Sequence, residues 1–252
     1  MASGMVPGPV PEGRQPLGVA AIDAALAGGL ERGRVHEVHA AQDGDAAAAA
    51  GFVVAVATRM AGDRGNSAPV LWLRSRRAAH LGGAVQANGW AELGGAPGRG
   101  LVGIVPDALA LLRAAHDAVR VGLLGAVIVE SWGTMRELDL TASRRLALAA
   151  EKSGVPLFLL RADADPVPSA AQTRWQVASA PSHALPGNAP GRPTFDLTLL
   201  RQRSGPCGLN WRVEWDRDRC EFHDAAPAGA AVSPPAIRAM DDGEGEGDRY
   251  AA

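Results

Sequence analysis

The stretch Gly33-Arg-Val-His-Glu-Val-His-Ala-Ala-Gln-Asp-Gly-Asp-Ala-Ala-Ala48 decides the fold of this chain. Residues 34–39 form the short apolar run that predicts a strand, and residues 45–60 continue as an alanine- and valine-rich run that predicts a helix. A short connection that contains Gly44 joins the two segments. This strand–turn–helix unit predicts the start of an α/β domain.

The same alternation continues along the chain. Further strands are predicted at residues 69–74, 101–105, 125–130 and 155–161, and further helices at residues 77–88, 107–119 and 139–153. Continuous apolar strands that alternate with helices predict a parallel sheet covered on both faces, so the fold class is α/β. Ligands of such sheets sit beyond the carboxyl ends of the strands, and residues 39–45 and 130–132 should therefore lie near one crevice.

The pattern changes after Pro168. Residues 173–178, 194–203 and 209–216 alternate apolar and polar side chains and are joined by Gly- and Pro-rich turns, with a loop at 181–193. This pattern predicts antiparallel strands that extend the parallel sheet along one edge. In the last of these strands one face carries Leu209, Trp211, Val213 and Trp215, and the other carries Asn210, Arg212, Glu214 and Asp216.

The composition fits one α/β domain with two tails. The chain has 252 residues, of which 47% are hydrophobic and 21% are charged, which is enough to bury a sizeable core. Residues 1–16 are rich in Pro and Gly and predict a flexible arm, and residues 17–223 form the domain. Residues 224–252 combine Ala, Pro and Gly with an acidic run and predict a disordered acidic tail.

Charge and cysteine content exclude several classes of protein. The net charge of −2 gives no overall basic field for nucleic acid, although local arginine clusters leave DNA binding open. Two cysteines indicate neither a disulfide framework nor a structural zinc site. The start of the chain lacks the pattern of a signal peptide, and no apolar run reaches the roughly 18 residues of a membrane span. We therefore expect a cytoplasmic protein with no membrane partner.

The segment from Gly28-Gly-Leu30 through Gly33-Arg34 to Glu37 resembles the lead-in to the core of the RecA recombinases. The resemblance implies a RecA-like core, with a mostly parallel sheet flanked by helices and extended here by the C-terminal antiparallel strands. It also places a phosphate loop directly after the strand at residues 34–39.

The loop itself departs from the pattern G-x-x-x-x-G-K-[ST], in which a lysine neutralises the phosphates and a hydroxyl binds Mg²⁺. This chain has Gln42, Asp43, Gly44 and Asp45 there, and its single lysine, Lys152, lies far along the chain. The two aspartates put negative charge where a triphosphate would sit, so we expect no bound cofactor. One interpretation is that Asp43 or Asp45 caps the following helix, and the other is a residual nucleotide site.

The metal and base positions also differ from those of the RecA family. Glu130 and Ser131 occupy the place of the family's metal-associated Asp-Ser. A carboxylate there could hold Mg²⁺ through water, but without a phosphate loop the metal ion has little to bridge. Arg74, Ser75 and Arg76 stand where the family places its water-activating glutamate. These residues predict a protein that is not an enzyme.

The C-terminal half is similar to the ImuA family of RecA-like proteins. The similar segments are Ser169-Ala-Ala-Gln-Thr-Arg-Trp175, Leu199-Leu-Arg-Gln-Arg-Ser-Gly205 and Trp211-Arg-Val-Glu-Trp-Asp216, and the whole resemblance spans about residues 16–223. It implies an adaptor in error-prone translesion synthesis under the SOS response. The implied partners are an ImuB-like inactive Y-family polymerase and an error-prone polymerase subunit, and RecA itself is a further candidate.

Seven arginines and tryptophans of this half are the candidates for partner binding. Such residues bind protein partners or stack on and pair with DNA, and the simpler alternative is that the tryptophans fill the core. The candidates are Arg174, Trp175, Arg201, Arg203, Trp211, Arg212 and Trp215. Two other functions stay open at this point: a residual RecA-like ATPase, and a cell-division inhibitor of the SulA type.

Overall fold

The computed structural model describes residues 13–62, 68–184, 189 and 191–225 of the chain. Its strands are β1 (Arg14–Gln15), β2 (Leu30–Glu31), β3 (Val35–Ala40), β4 (Val70–Ser75), β5 (Gly100–Val105), β6 (Ala126–Trp132), β7 (Leu157–Ala162), β8 (Thr173–Ser179), β9 (Thr194–Gln202), β10 (Leu209–Asp216) and β11 (Glu221–Asp224). Its helices are α1 (Ala20–Ala25), α2 (Ala46–Gly62), α3 (Arg76–Leu81), α4 (Ala87–Glu92), α5 (Ala108–Val121) and α6 (Leu140–Ser153).

Nine of these strands form one sheet in the order β11-β10-β9-β8-β3-β7-β6-β4-β5. The strands from β5 across to β8 run parallel, and β9, β10 and β11 continue the sheet with antiparallel pairing. β1 and β2 form a separate antiparallel pair. The α/β fold class is therefore confirmed, as is the antiparallel extension along one edge.

The two long helices α5 and α6 begin and end where their sequence signals predict. The side chains of Asp107 and Asp139 accept hydrogen bonds from the first-turn amides of Ala110 and Ala142, at 2.8 and 2.7 Å. At the other ends, Gly122 and Gly154 adopt the left-handed conformation, with φ of 72° and 73°. An aspartate before the helix and a glycine after it satisfy the terminal backbone groups that the helix cannot satisfy itself.

The sheet separates two hydrophobic cores. On one face Phe52 of α2 packs into an aromatic cluster with Trp175, Trp215 and Phe222 from the sheet. On the other face α5 and α6 pack against the opposite side chains of β3, β6 and β7. Because successive side chains of a strand point to opposite faces, residues of one strand contribute to both cores.

One stretch, Asp43–Gly62, is long and apolar enough to cross a membrane by length and composition alone. Its most apolar window is 61% buried inside the fold, as expected of a core helix beneath a sheet.

The structure corrects three boundaries. The helix predicted at residues 77–88 is divided into α3 and α4, because Gly82 and Gly83 end the first of them and Gly83 has a φ of +69°. The arm predicted to reach residue 16 ends earlier, since Arg14–Gln15 pairs with Leu30–Glu31. The short β11 was not predicted, and it includes Asp224, the first residue of the predicted tail. Residues 1–12 and 226–252 lie outside the described residues.

Candidate functional site

A crevice of about 290 Å³ opens at the carboxyl ends of β4, β6 and β7. Asp43 and Gly44 line it from the turn before α2, and Glu130 and Trp132 line it from β6. The prediction that these two segments flank one crevice is therefore confirmed. Apolar side chains make up much of the remaining wall, among them Leu81 and Val85 from the α3 region.

A buried ion pair lies at the base of this crevice. Arg74 of β4 and Glu130 of β6 are neighbours in the parallel register, and they are 3% and 4% exposed. Arg74 Nε donates to Glu130 Oε2 at 2.7 Å, and Arg74 Nη2 donates to Glu130 Oε1 at 2.9 Å. This bidentate geometry is the strongest arrangement of an arginine with a carboxylate.

Further hydrogen bonds complete the Arg74–Glu130 pair. Trp132 Nε1 donates to Glu130 Oε1 at 3.0 Å, while Arg74 also donates to the carbonyls of Ala78 and Gly83. Gly82 allows the loop to approach this closely, because a Cβ atom there would meet Arg74 Nη2 at 2.6 Å and Glu130 Oε1 at 3.0 Å. Both oxygens of Glu130 thus already accept hydrogen bonds from the protein.

The turn where the RecA resemblance placed a phosphate loop is a single 3₁₀ turn, Asp43–Asp45, that leads directly into α2. Gln42, its N-cap residue, makes no side-chain capping bond and is exposed, as are Asp43 and Gly44. Asp45 is 3% exposed, and its Oδ1 accepts hydrogen bonds from Ser179 N and Ser179 Oγ, both at 2.8 Å. The prediction that Asp45 caps the helix is wrong: its side chain ties the turn to the end of β8.

The residues of the crevice do not fit a nucleoside triphosphate with Mg²⁺. A phosphate loop needs a lysine and a hydroxyl, and the turn offers two carboxylates instead. Glu130 would have to break its pair with Arg74 before it could help to hold a metal ion. Among the described residues no group of three or more His, Cys, Asp and Glu side chains is arranged to hold a metal ion.

A second polar cluster lies on the opposite face of the sheet, where β3 meets β8. Arg174 Nε donates to Glu37 Oε2 at 2.5 Å, and Arg174 also bonds Ser169 Oγ at 3.1 Å and the carbonyl of Val167. Burial would raise the pKa of Glu37, but His39, Arg174 and Ser169 stabilise its carboxylate and hold the pKa below its usual value. This cluster joins the core to the C-terminal strands.

Arg161 adds a further charge to this cluster from β7. It is 3% exposed, and burial lowers its pKa against the opposing effect of Glu37. Its Nη2 reaches the carbonyl of Gly133 at 3.4 Å, and its Nε has no hydrogen-bond partner. Ser131, one of the predicted metal-site residues, is buried in β6 and pairs in register with Arg161, so it points away from Glu130.

On the α2 face of the sheet, the side chain of His36 in β3 contacts the side chain of Thr173 in β8. Its Nδ1 lies 2.8 Å from Thr173 Oγ1 and its Nε2 lies 2.9 Å from the carbonyl of Glu31. Burial lowers the pKa of His36 to about 4, so the ring is neutral at pH 7. We call the residues His36, Glu37 and Asp45 with Thr173, Arg174 and Ser179 the β3–β8 seam.

The structure divides the seven candidate partner-binding residues. Trp175 and Trp215 are fully buried in the aromatic core, so these two cannot contact a partner without unfolding, whereas Arg174 is partly exposed and belongs to the seam. Trp211 is partly buried against Trp175, with ring centroids 6.0 Å apart. Arg201 and Arg203 are exposed and donate to the carbonyls of Ser169 and Ala170, and Arg212 is paired with Asp196.

Sequence reasoning missed both buried ion pairs, although a signal for them exists. Arg74 and Glu37 are charged residues inside otherwise largely apolar strands of a predicted parallel sheet. A charge buried there must find an opposite charge, because leaving it unpaired costs several kcal/mol. The partners lie 56 and 137 residues away along the chain, which is why the sequence alone does not pair them.

The strand order, with the α2 turn and crevice at the carboxyl ends of the parallel strands, defines a RecA-like α/β domain. The fold is similar to the crystal structure of the RadB recombinase, with a TM-score of 0.55 over 83% of this chain and 99% of the RadB chain. The sequence identity is 13%, so this likeness establishes the fold alone. No protein-family model and no curated protein matches the chain.

Proposed function

We propose that this protein is a non-catalytic RecA-like adaptor in an error-prone translesion synthesis complex of the SOS response. In this role it binds an ImuB-like inactive Y-family polymerase in the cytoplasm, together with the error-prone polymerase subunit. The observation that carries the proposal is the Arg74–Glu130 pair, which occupies the base of the crevice with protein groups. The similarity of residues 169–175, 199–205 and 211–216 to the ImuA family supports the choice of partner.

The exposed part of the C-terminal strands is where we place the partner. Arg201 and Arg203 lie near each other at the end of β9 and hold the loop that carries Ser169 and Ala170. Exposed arginines in such a position suit a protein interface, where Arg is enriched among the residues that dominate binding energy. Trp175 is fully buried in the core and takes no direct part.

Co-purification tests this proposal with matched variants. The tagged full chain should capture a purified ImuB-like protein, and the Arg201→Glu/Arg203→Glu variant should capture much less of it. The Arg113→Glu/Arg120→Glu variant changes two exposed arginines on α5 and should capture as much as the parent chain. Failure of the parent chain to capture the ImuB-like protein would reject the proposal.

Calorimetry separates the adaptor from a residual ATPase. Titration of Mg·ATP into the full chain should produce no binding heat, because the turn before α2 has carboxylates where phosphates would lie. Saturable binding together with ATP turnover would favour the ATPase instead. Direct DNA binding through Arg201 and Arg203 would show affinity that falls steeply with added salt.

A further inference from the structure

The two edges of the nine-stranded sheet differ in how they are protected. At the β11 edge, Phe222 N donates to the carbonyl of Leu17 at 3.1 Å, and Gly18 lies so close that a Cβ atom would meet Phe222 O at 2.7 Å. The segment before α1 therefore covers this edge. Within the described part of the chain no strand pairs with the outer side of β5.

β5 has none of the features that usually protect a sheet edge. Its sequence is Gly100-Leu-Val-Gly-Ile-Val105, without a charged residue or a proline. Leu101, Val102 and Ile104 are 47%, 49% and 61% exposed. Open edges of natural sheets usually carry lysine, proline or a bulge, because bare backbone donors and acceptors pair with other strands. An apolar edge strand of six residues is therefore suited to pairing.

The charges at the two ends of β5 favour one partner and one direction. Arg99, the last residue of a short 3₁₀ turn, directly precedes the strand, and Asp107, the N-cap residue of α5, follows it after one residue. A second copy in the antiparallel direction brings each Arg99 to the Asp107 of the other copy, whereas the parallel direction brings like charges together. Opposite charges that approach each other in a contact favour association, and like charges oppose it.

We propose that two copies of this chain associate through antiparallel pairing of their β5 strands, with the two-fold axis at Gly103. In this register Val102 lies opposite Ile104 of the other copy, and Leu101 lies opposite Val105. The two glycines meet at the axis, where no side chains crowd. The contact is isologous, so it closes at a dimer and joins the two sheets into one.

The oligomeric state of the full chain in solution tests the proposal. Light scattering across a range of concentrations should show a reversible dimer that does not grow further. Ile104→Lys places one lysine from each copy in the contact and should weaken dimerisation by about tenfold or more. Leu148→Lys is the matched control, because Leu148 is 66% exposed on α6, and this variant should dimerise like the parent.

Three results would overturn the proposal: a monomer at every concentration, a dimer unaffected by Ile104→Lys, or growth into open chains. Circular dichroism of both lysine variants checks that the fold is retained, as expected at exposed positions.

Disulfide cross-linking tests the register. In a background with Cys207→Ser and Cys220→Ser, a mixture of Val102→Cys and Ile104→Cys chains should form mixed disulfides on mild oxidation. Directly opposite residues approach closely enough for a disulfide, whereas each variant alone pairs its cysteine with a more distant position. Equal cross-linking by Val102→Cys alone, or none in the mixture, would contradict this register.

Discussion

The crevice and the β3–β8 seam both contain an arginine paired with a buried glutamate, but the two pairs have different surroundings. In the crevice, Arg74 and Glu130 stand at the position where a ligand of a parallel sheet would bind, and several further groups complete their hydrogen bonds. In the seam, Glu37 faces Arg174 and also Arg161, whose Nε has no partner.

The difference shows that one kind of interaction performs two tasks. The crevice pair lies at the base of the crevice, and both oxygens of Glu130 accept hydrogen bonds there. The seam pair attaches the C-terminal strands at one place, since Glu37 and Arg174 are register neighbours across β3 and β8. We therefore expect disruption of the two pairs to lower the free energy of unfolding by different amounts.

The largest effect is expected from the seam. Glu37→Gln removes the carboxylate that faces the buried Arg161 and the partly buried Arg174, so the free energy of unfolding should fall by about 4–5 kcal/mol. Denaturation in urea, read by circular dichroism, measures this change. A loss no greater than that of an exposed substitution would show that the Arg161 and Arg174 charges are compensated in another way.

The crevice pair should respond less. Glu130→Ala leaves Arg74 with the carbonyls of Ala78 and Gly83, so we expect a loss of about 3 kcal/mol. The double variant Arg74→Met/Glu130→Leu removes both charges and should recover most of that loss in the same urea experiment. If the double variant is as unstable as the single one, the pair contributes through its shape more than its charge.

The seam should also make stability depend on pH. His36 has a pKa of about 4 in the folded protein and an ordinary value of 6.5 when unfolded, so only the unfolded chain binds this proton between those values. Stability is therefore complete above pH 6.5 and falls as the pH decreases toward 4, by about 3 kcal/mol in all. Urea titrations from pH 7 to 4 measure this slope.

The variant His36→Gln serves as the control for the pH experiment. It should flatten the slope between pH 6.5 and 4. An unchanged slope in this variant would assign the pH dependence to other groups.

The smallest effect is expected at the exposed face of the C-terminal strands. Arg212 pairs with Asp196 through two hydrogen bonds of 2.7 Å, but both side chains are about two-fifths exposed, at 41% and 42%. Water and salt screen such a pair, so Arg212→Ala should leave the melting temperature unchanged within experimental error. A clear loss of stability would indicate that this face is covered in the native assembly.

Much of the fold could be predicted from local pattern. Apolar runs of strand length separated by amphipathic helices predicted the parallel sheet, and alternation after Pro168 predicted its antiparallel extension. The predicted apolar face of residues 209–216 is largely the buried one, with Val213 and Trp215 fully buried and Trp211 partly buried. The short β11 escaped prediction because four residues offer too little periodicity.

The candidate site was predicted less completely. The lysine-free turn is visible in the residue types at positions 42–45 alone. The capping prediction for Asp45 failed because Ser179, distant in sequence, competes for its carboxylate. Trp175 and Trp215 were expected as partner contacts, and the fold buries them instead, since a residue's type does not reveal which face of a strand is covered.

The sequence by itself determined the α/β class, the succession of strands and the absence of a phosphate-binding lysine, because these depend on residue type and local periodicity. Only the tertiary structure decided that Arg74 meets Glu130 and that Glu37 meets Arg174. It also decided that one sheet edge is covered while, among the described residues, no strand pairs with the outer side of β5. Those outcomes depend on which distant segments become neighbours, and neighbours are chosen by the packing of the whole sheet.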